Sequence, residues 1–102
     1  MPYKLKVLIT SAKSAQAHKL KTTLTHDEVV LGDFNEFPSF MGIIKLPNPA
    51  SDTYAHEMLT LSLDNGFRNI YLLNKQELDV LILSEQLFNE YNINIINACD
   101  KL

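Results

Sequence analysis

The residues best suited to chemistry in this sequence are Ser11, Ala12, Lys13 and Ser14, which follow an apolar run and precede an amphipathic segment. A loop between a strand and a helix N-terminus offers free backbone N–H groups and the positive end of the helix dipole. Both favour phosphate or carboxylate, and Lys13 would add a positive charge. We therefore expect an anion-binding loop at Ser11–Ser14. The glycine fingerprint GxGxxG is absent, so the alternative that Ser14 only caps the helix stays open.

Asp33 is a second candidate, because it follows the apolar run Val29–Leu31 and Gly32. In dinucleotide-binding folds an acidic residue at the end of the second strand holds a ribose hydroxyl. Because the glycine fingerprint is missing here, an ordinary turn aspartate is the competing interpretation. Asp33 is therefore a candidate ligand-binding residue next to the first loop.

The segment after Asp33 is dense in aromatic residues. Phe34, Phe37 and Phe40 lie within seven residues, and Met41 follows them. Three phenylalanines in an exposed loop need something to cover them. We expect this segment either to fold onto the sheet edge as a small satellite core or to form a surface for a protein partner or a second copy.

No catalytic or metal-ligating arrangement can be read from the sequence. His18, His26 and His56 lack the spacing of a shared metal site, and Cys99 has no predicted base beside it. The acids of the C-terminal half are expected to cap helices or to line a solvated face rather than to form an acid–base couple. These acids are Glu77, Asp79, Glu85 and Glu90. No catalytic residue, metal or cofactor is therefore predicted.

The elements that must position these residues alternate between strands and helices. Short apolar runs typical of buried strands occur at 5–9, 29–31, 43–46, 70–73 and 93–96. Helices are expected after Ser14, after an N-cap at Ser51 or Asp52, and between the last two strands; Gly66 ends the second of them. The order β-α-β-β-α-β-α-β predicts one α/β domain over 1–102, three-layered and Rossmann-like, with a mostly parallel five-stranded sheet.

The third helix is predicted to be the longest. Asn74 caps it, and Glu77 stands three residues on at the capping-box position. Its predicted core-facing stripe consists of Leu78, Leu81, Ile82, Glu85 and Phe88. Glu85 is the one charged member of that stripe, and the apolar periodicity does not explain it.

Composition limits the classes of partner. With 102 residues, 46% hydrophobic and 21% charged, the chain has the composition of an ordinary globular domain. A net charge of −3 gives no electrostatic basis for general nucleic-acid binding, although residues 1–26 hold five lysines and no acid. No stretch approaches the roughly 20 apolar residues of a membrane span, and a single cysteine excludes an internal disulfide. The expected location is the cytoplasm.

Several phrases, in this order, resemble the pre-ATP-grasp (N-terminal) domain of ATP-grasp ligases, in particular the carbamoyl-phosphate synthase large-subunit type. KVLIT at 6–10 resembles that family's first strand and VVLGD at 29–33 its second. The remaining phrases are KLP at 45–47, NGFRNIYLLNKQELDVL at 65–81 and LFNEYNINI at 87–95. The order and spacing of these phrases, rather than any single motif, carry the resemblance.

The departures from that family bear on function. Family members often carry glycines in the first loop, where this chain has SAKSA at 11–15, and a glycine where it has Asn92. The chain stops where the family's ATP-binding and catalytic domains begin, so the resemblance implies no ligase activity on its own. It implies a stand-alone, non-catalytic module that works with a separately encoded ATP-grasp catalytic subunit or as a homo-oligomer. The alternative is a small domain that binds a nucleotide or another anion at the first loop.

Overall fold

The computed structural model describes residues 5–35 and 42–99. These residues form five strands, four α-helices and one 3₁₀ turn. The strands are β1 (Lys6–Ile9), β2 (Glu28–Asp33), β3 (Ile43–Lys45), β4 (Asn69–Leu72) and β5 (Asn94–Asn97). The helices are α1 (Ala15–Thr23), α2 (Tyr54–Asn65), α3 (Lys75–Leu81) and α4 (Glu85–Glu90), with the 3₁₀ turn Ile82–Ser84 between the last two.

The five strands form one parallel sheet in the order β3-β2-β1-β4-β5. The predicted α/β, Rossmann-like architecture is therefore confirmed. The central strand β1 is buried on both sides, since Val7, Leu8 and Ile9 are each 0% exposed. The direction of strand addition reverses between β1 and β4, and in open parallel sheets ligands bind at the carboxyl end of such a reversal.

The two faces of the sheet are covered unequally. One face packs against α2, α3 and α4 through a core that includes Leu8, Ile70, Met58 and Phe88. The other face packs against α1 alone among the described elements, through a smaller core that contains Ile9, Ala17, Leu20 and Leu31. The sheet is therefore the middle of three layers, and within the described ranges one outer layer is a single helix of nine residues.

The prediction of one long helix after Asn74 is wrong. Asn74 does cap α3, because its side-chain oxygen accepts hydrogen bonds from the backbone N–H groups of Gln76 and Glu77 at 2.8 and 3.3 Å. The helix then ends at Leu81, tightens into the 3₁₀ turn and restarts as α4. Residues 80–83 are all aliphatic, so hydrophobicity alone does not fix which of them faces the core.

The break explains the charged member of the predicted stripe. Glu85 lies in the first turn of α4, where a carboxylate interacts favourably with the helix dipole. Ile82, which the stripe places in the core, is 42% exposed, and its neighbour Leu83 is 85% exposed. The predicted stripe is right for Leu81 and Phe88, which are both 0% exposed, and wrong for Ile82.

Helix α2 begins and ends at identifiable residues. Its N-cap is Thr53, and not Ser51 or Asp52 as predicted. Gly66 ends it in the left-handed region at φ 73°, as expected of a glycine at that position. With twelve residues, α2 is the longest helix of the described part, in which no helix is both long and apolar enough to cross a membrane.

Candidate functional site

The first loop lies where the sequence predicts it, at the carboxyl end of β1 and before α1. Ser11 has a positive φ of 55°, an uncommon conformation for a residue with a side chain. The next residue, Ala12, is fully buried, and its N–H donates to the carbonyl of Gly32 at 3.1 Å. Ala12 therefore fastens the loop to β2 and is a core residue.

Ser14 is the N-cap of α1. Its hydroxyl accepts a hydrogen bond from the N–H of Ala17 at 3.1 Å and donates to the carbonyl of Ser11 at 2.9 Å. These contacts use the hydroxyl within the loop itself. Lys13 is exposed between them, so Lys13 and the backbone around Ser11 are the parts of the loop that face solvent.

Asp33 is placed as the turn interpretation requires. Its carboxylate Oδ1 accepts hydrogen bonds from the backbone N–H and the side-chain amide of Asn35, at 2.9 and 3.0 Å. Only 4% of Asp33 is exposed. Its side chain therefore organises the turn after β2 and presents little surface to a ligand.

Sequence reasoning missed a buried polar cluster at the same edge of the sheet. The hydroxyl of Tyr54, at the start of α2, donates a hydrogen bond to Glu77 Oε2 of α3 at 3.1 Å. Thr10, directly after β1, accepts a hydrogen bond on its hydroxyl from the N–H of Leu73 at 3.2 Å. Thr10, Tyr54 and Glu77 are 0%, 0% and 1% exposed. The cluster therefore links α2 and α3 to the strand reversal.

The cluster holds its carboxyl group in an unfavourable environment for a charge. Burial raises the pKa of Glu77, the hydroxyls of Thr10 and Tyr54 lower it, and the negative charge of Asp33 raises it. Burial, and then the neighbouring Glu77, also raise the pKa of Tyr54. Glu77 Oε1 is buried without a hydrogen-bond partner among the described residues. Thr10 therefore lies close enough to lower the pKa of Glu77, although its hydroxyl forms no hydrogen bond with Oε1.

The prediction that Glu77 caps a helix or lies on a solvated face is wrong, because Glu77 is buried. Lys75 and Asp79 form an exposed i,i+4 ion pair at 2.9 Å, which marks the outer face of α3. Glu77 instead shares a helix face with Leu81, four residues on, and both are buried. That spacing was the available signal. The partner Tyr54, 23 residues away in sequence, could not be identified from it.

The predicted partner surface lies mostly outside the described residues. Phe37, Phe40 and Met41 fall between the described ranges 5–35 and 42–99. Phe34 is described, and it is half-buried against the core beneath α2 and α3. Phe34 therefore belongs to the edge of the main core, and the choice between a satellite core and a partner surface depends on residues outside the described ranges.

The described residues cover a different apolar surface only in part, and we call it the open sheet face. It consists of Tyr71 and Ile96, which are paired in register on β4 and β5 and point to the same side of the sheet as α1. Both side chains are partly exposed. Asn69 and Asn94 form the next registered pair on that side. Among the described elements only α1 covers this side, over Ile9 and Leu31 of β1 and β2. Tyr71 packs against the margin of that core, whereas Ile96 is not part of it.

A groove of about 620 Å³ lies between the edge strand β3 and α2. Its charged side chains are of both signs, with Lys45 accompanied by Glu57 and Asp64. Glu57 is already engaged, because its Oε2 accepts hydrogen bonds from the hydroxyls of Ser51 and Thr53 at 3.0 and 2.9 Å. The described residues that line the groove therefore do not direct several donors, or several acceptors, at one point where a ligand would bind.

The described residues contain no group of three or more His, Cys, Asp or Glu side chains arranged to hold a metal ion. No protein-family model matches the sequence, and no curated protein matches it either. Function must therefore be argued from the surfaces and contacts above.

Proposed function

We propose that this chain is a non-catalytic module that works by associating with another protein surface, as its resemblance to the pre-ATP-grasp domain implies. The observation that carries the proposal is the open sheet face formed by Tyr71 and Ile96. All-parallel sheets occur almost only with both faces covered. Here α1 covers the β1–β2 part of its face and Tyr71 packs against the same core. Ile96 and the exposed part of Tyr71 are what the described residues leave to a partner.

The contacts at the carboxyl edge of the sheet support association with a partner rather than catalysis. Ser14 is used as a helix cap and Asp33 as a turn former. Glu77 and Tyr54 are bonded to each other inside the core. Side chains engaged in this way hold loops and helices in place, and they are not presented to a substrate.

Charge beside the open sheet face indicates the chemistry of the partner surface. Helix α1, on the same side of the sheet, carries the exposed Lys19 and Lys21, and Lys13 precedes it. Burial, and then the negative charge of Asp27, raise the pKa of Tyr71. A complementary surface would have an apolar centre, carboxylates opposite the lysines and a positive group opposite Asp27. We propose a separately encoded ATP-grasp catalytic subunit or a second copy of the chain as the source of that surface.

The test measures molar mass by light scattering from micromolar to millimolar concentration, together with affinity capture from the cells that produce the chain. We expect either a concentration-dependent rise in mass or one co-purifying subunit. Ile96→Lys, which places a charge in the open sheet face, should weaken that association about tenfold or more. Leu83→Lys is the matched control, because Leu83 is 85% exposed in the 3₁₀ turn on the opposite side of the sheet.

Two outcomes would count against association through this face. The first is a clean monomer at every concentration with no captured partner. The second is an association that Leu83→Lys disrupts and Ile96→Lys leaves intact.

A second candidate function, binding of a nucleotide or another anion at the first loop, is favoured by one observation. Ser11 is held at φ 55° next to the exposed Lys13, and non-glycine residues in this conformation cluster at ligand sites. A loop that binds an anion would be stabilised by it. The charge of Lys13 would supply part of that stabilisation.

Thermal unfolding with ATP, ADP, NAD and S-adenosylmethionine tests this candidate. A ligand at 100 times its dissociation constant should stabilise the folded chain by about 2.7 kcal/mol. Lys13→Ala should reduce the shift, and Lys75→Ala, on the exposed face of α3, should preserve it. Unchanged melting curves with all four compounds would remove them as ligands.

A further inference from the structure

We propose that a polar pocket at the amino ends of β1, β4 and β5 binds a compact oxyanion, through either a phosphate or a carboxylate group. The pocket has a volume of about 300 Å³. It is lined by Leu5, Arg68, Asn69, Asn89, Asn92 and Asn94. This site lies at the opposite edge of the sheet from the first loop and does not depend on the proposed function.

The composition of the pocket is unusual for this chain. Arg68 is the only arginine of the sequence, and four of the nine asparagines line the same pocket. Among the described residues, the lining contains no carboxylate. One positive charge and several carboxamides therefore face the same space without an acid among them.

Backbone hydrogen bonds fix the chain positions that carry these side chains. The N–H of Arg68 donates to the carbonyl of Lys6 at 2.7 Å, and the N–H of Asn94 donates to the carbonyl of Arg68 at 2.9 Å. Asn92 has φ 64°, and its N–H donates to the carbonyl of Asn89 at 3.0 Å. The strand starts and the turn after α4 thus bring residues distant in sequence to one site.

Two of the asparagines are also oriented by each other. The side-chain amide of Asn94 donates to Asn69 Oδ1 at 3.0 Å. In a carboxamide the oxygen accepts hydrogen bonds and the nitrogen donates them. The bond therefore occupies the oxygen of Asn69 and one N–H of Asn94, and it fixes how the other groups of the pair are oriented. A pre-oriented pair of this kind lowers the ordering cost of binding.

An oxyanion is the ligand that this set of groups recognises. A guanidinium presents its N–H donors in a planar fork that matches carboxylate and phosphate oxygens. Carboxamide N–H groups donate to the same oxygens and carry no charge that would repel them. A metal cation is disfavoured, because the one formal charge that the described lining residues carry is positive. The volume lies at the lower end of ligand sites, which favours a compact ligand.

The unique arginine allows a direct chemical test with inorganic phosphate as the probe. Phenylglyoxal should give a single adduct, at Arg68, whose formation is followed by mass spectrometry. With phosphate at about ten times its dissociation constant, we expect the modification rate to fall about tenfold relative to chloride at the same ionic strength. Equal rates in phosphate and chloride would overturn the proposal. Acetate in place of phosphate distinguishes a carboxylate source from a phosphate source.

Side-chain amide NMR signals locate the bound anion. Phosphate should shift the signals of Asn69, Asn89, Asn92 and Asn94 and leave Asn48, near the opposite edge, unchanged. Arg68→Gln should abolish these shifts, and Lys13→Gln should preserve them. Shifts confined to the backbone of the first loop would overturn this proposal while supporting the second candidate function, so the two sites are distinguished in one titration.

Discussion

Replacing Phe88 by alanine is expected to lower the free energy of unfolding by about 3–5 kcal/mol. Phe88 is 0% exposed and is the buried residue of α4, a helix of only six residues. So short a helix has little stability of its own, and its position depends on this side chain. A loss of that size is a large part of the total stability of a small domain. Urea unfolding followed by circular dichroism measures it.

Two neighbouring residues show whether the helix is broken as described. In the described structure Leu81 is 0% exposed and Ile82 is 42% exposed. Leu81→Ala should therefore cost about 2–5 kcal/mol, and Ile82→Ala should cost clearly less. Leu83→Ala, at the most exposed position of the turn, should fall within about 0.5 kcal/mol of the parent. An uninterrupted helix with the stripe predicted from sequence would bury Ile82. Equal losses for Leu81→Ala and Ile82→Ala would contradict the 3₁₀ turn.

Glu77→Gln is expected to raise stability at neutral pH by roughly 1–3 kcal/mol, the usual cost of leaving a buried polar group unsatisfied. The carboxyl is 1% exposed, and its Oε1 lacks a hydrogen-bond partner among the described residues. A glutamine has the same shape, and its carbonyl can still accept the hydrogen bond of Tyr54. Its amide can donate towards the hydroxyl of Thr10, which already acts on this carboxyl.

The pH dependence of the parent follows from the same carboxyl. Burial raises the folded-state pKa of Glu77 above its unfolded value, so the protonated form is favoured by folding. Its stabilising contribution is complete below the unfolded pKa of about 4.3 and is lost as pH rises through the raised folded value. Urea unfolding of the parent between about pH 4 and about pH 8 should show that decline. Glu77→Gln should lack it.

Glu90→Gln is the matched control, because Glu90 is exposed at the end of α4. It should follow the pH profile of the parent. A Glu77→Gln variant that is less stable than the parent at neutral pH would show that the structure needs the carboxylate, contrary to this account.

The fold could be predicted because its signals are local. The apolar run Val7–Ile9, the cap at Asn74 and the left-handed glycine at Gly66 each report on a few adjacent residues. The phase of the helix at residues 80–83 could not be predicted, since four consecutive aliphatic residues satisfy either orientation. The pairing of Tyr54 with Glu77 depends on how α2 and α3 pack, which no periodicity specifies.

The position of the candidate site could be predicted from the sequence, but the role of each of its side chains could not. The sequence placed Ser11–Ser14 and Asp33 at the carboxyl edge of the sheet, where the structure has them. Whether a serine caps a helix or faces a ligand depends on a hydroxyl orientation, as at Ser14. The open sheet face was not predicted. Alternation along β4 and β5 shows which side chains lie on the same face of the sheet, but it does not show which face a helix covers.

The association claim is tested most directly by isoleucine methyl NMR of the chain, free and in the state that self-associates or binds its co-purifying subunit. One spectrum contains Ile96 of the open sheet face, Ile82 of the exposed 3₁₀ turn and the buried Ile95. We expect the methyl signals of Ile96 to shift on association, with those of Ile82 and Ile95 unchanged. Shifts at Ile82 with Ile96 unaffected, or no isoleucine shift under either condition, would contradict the proposal that this chain works through the open face of its sheet.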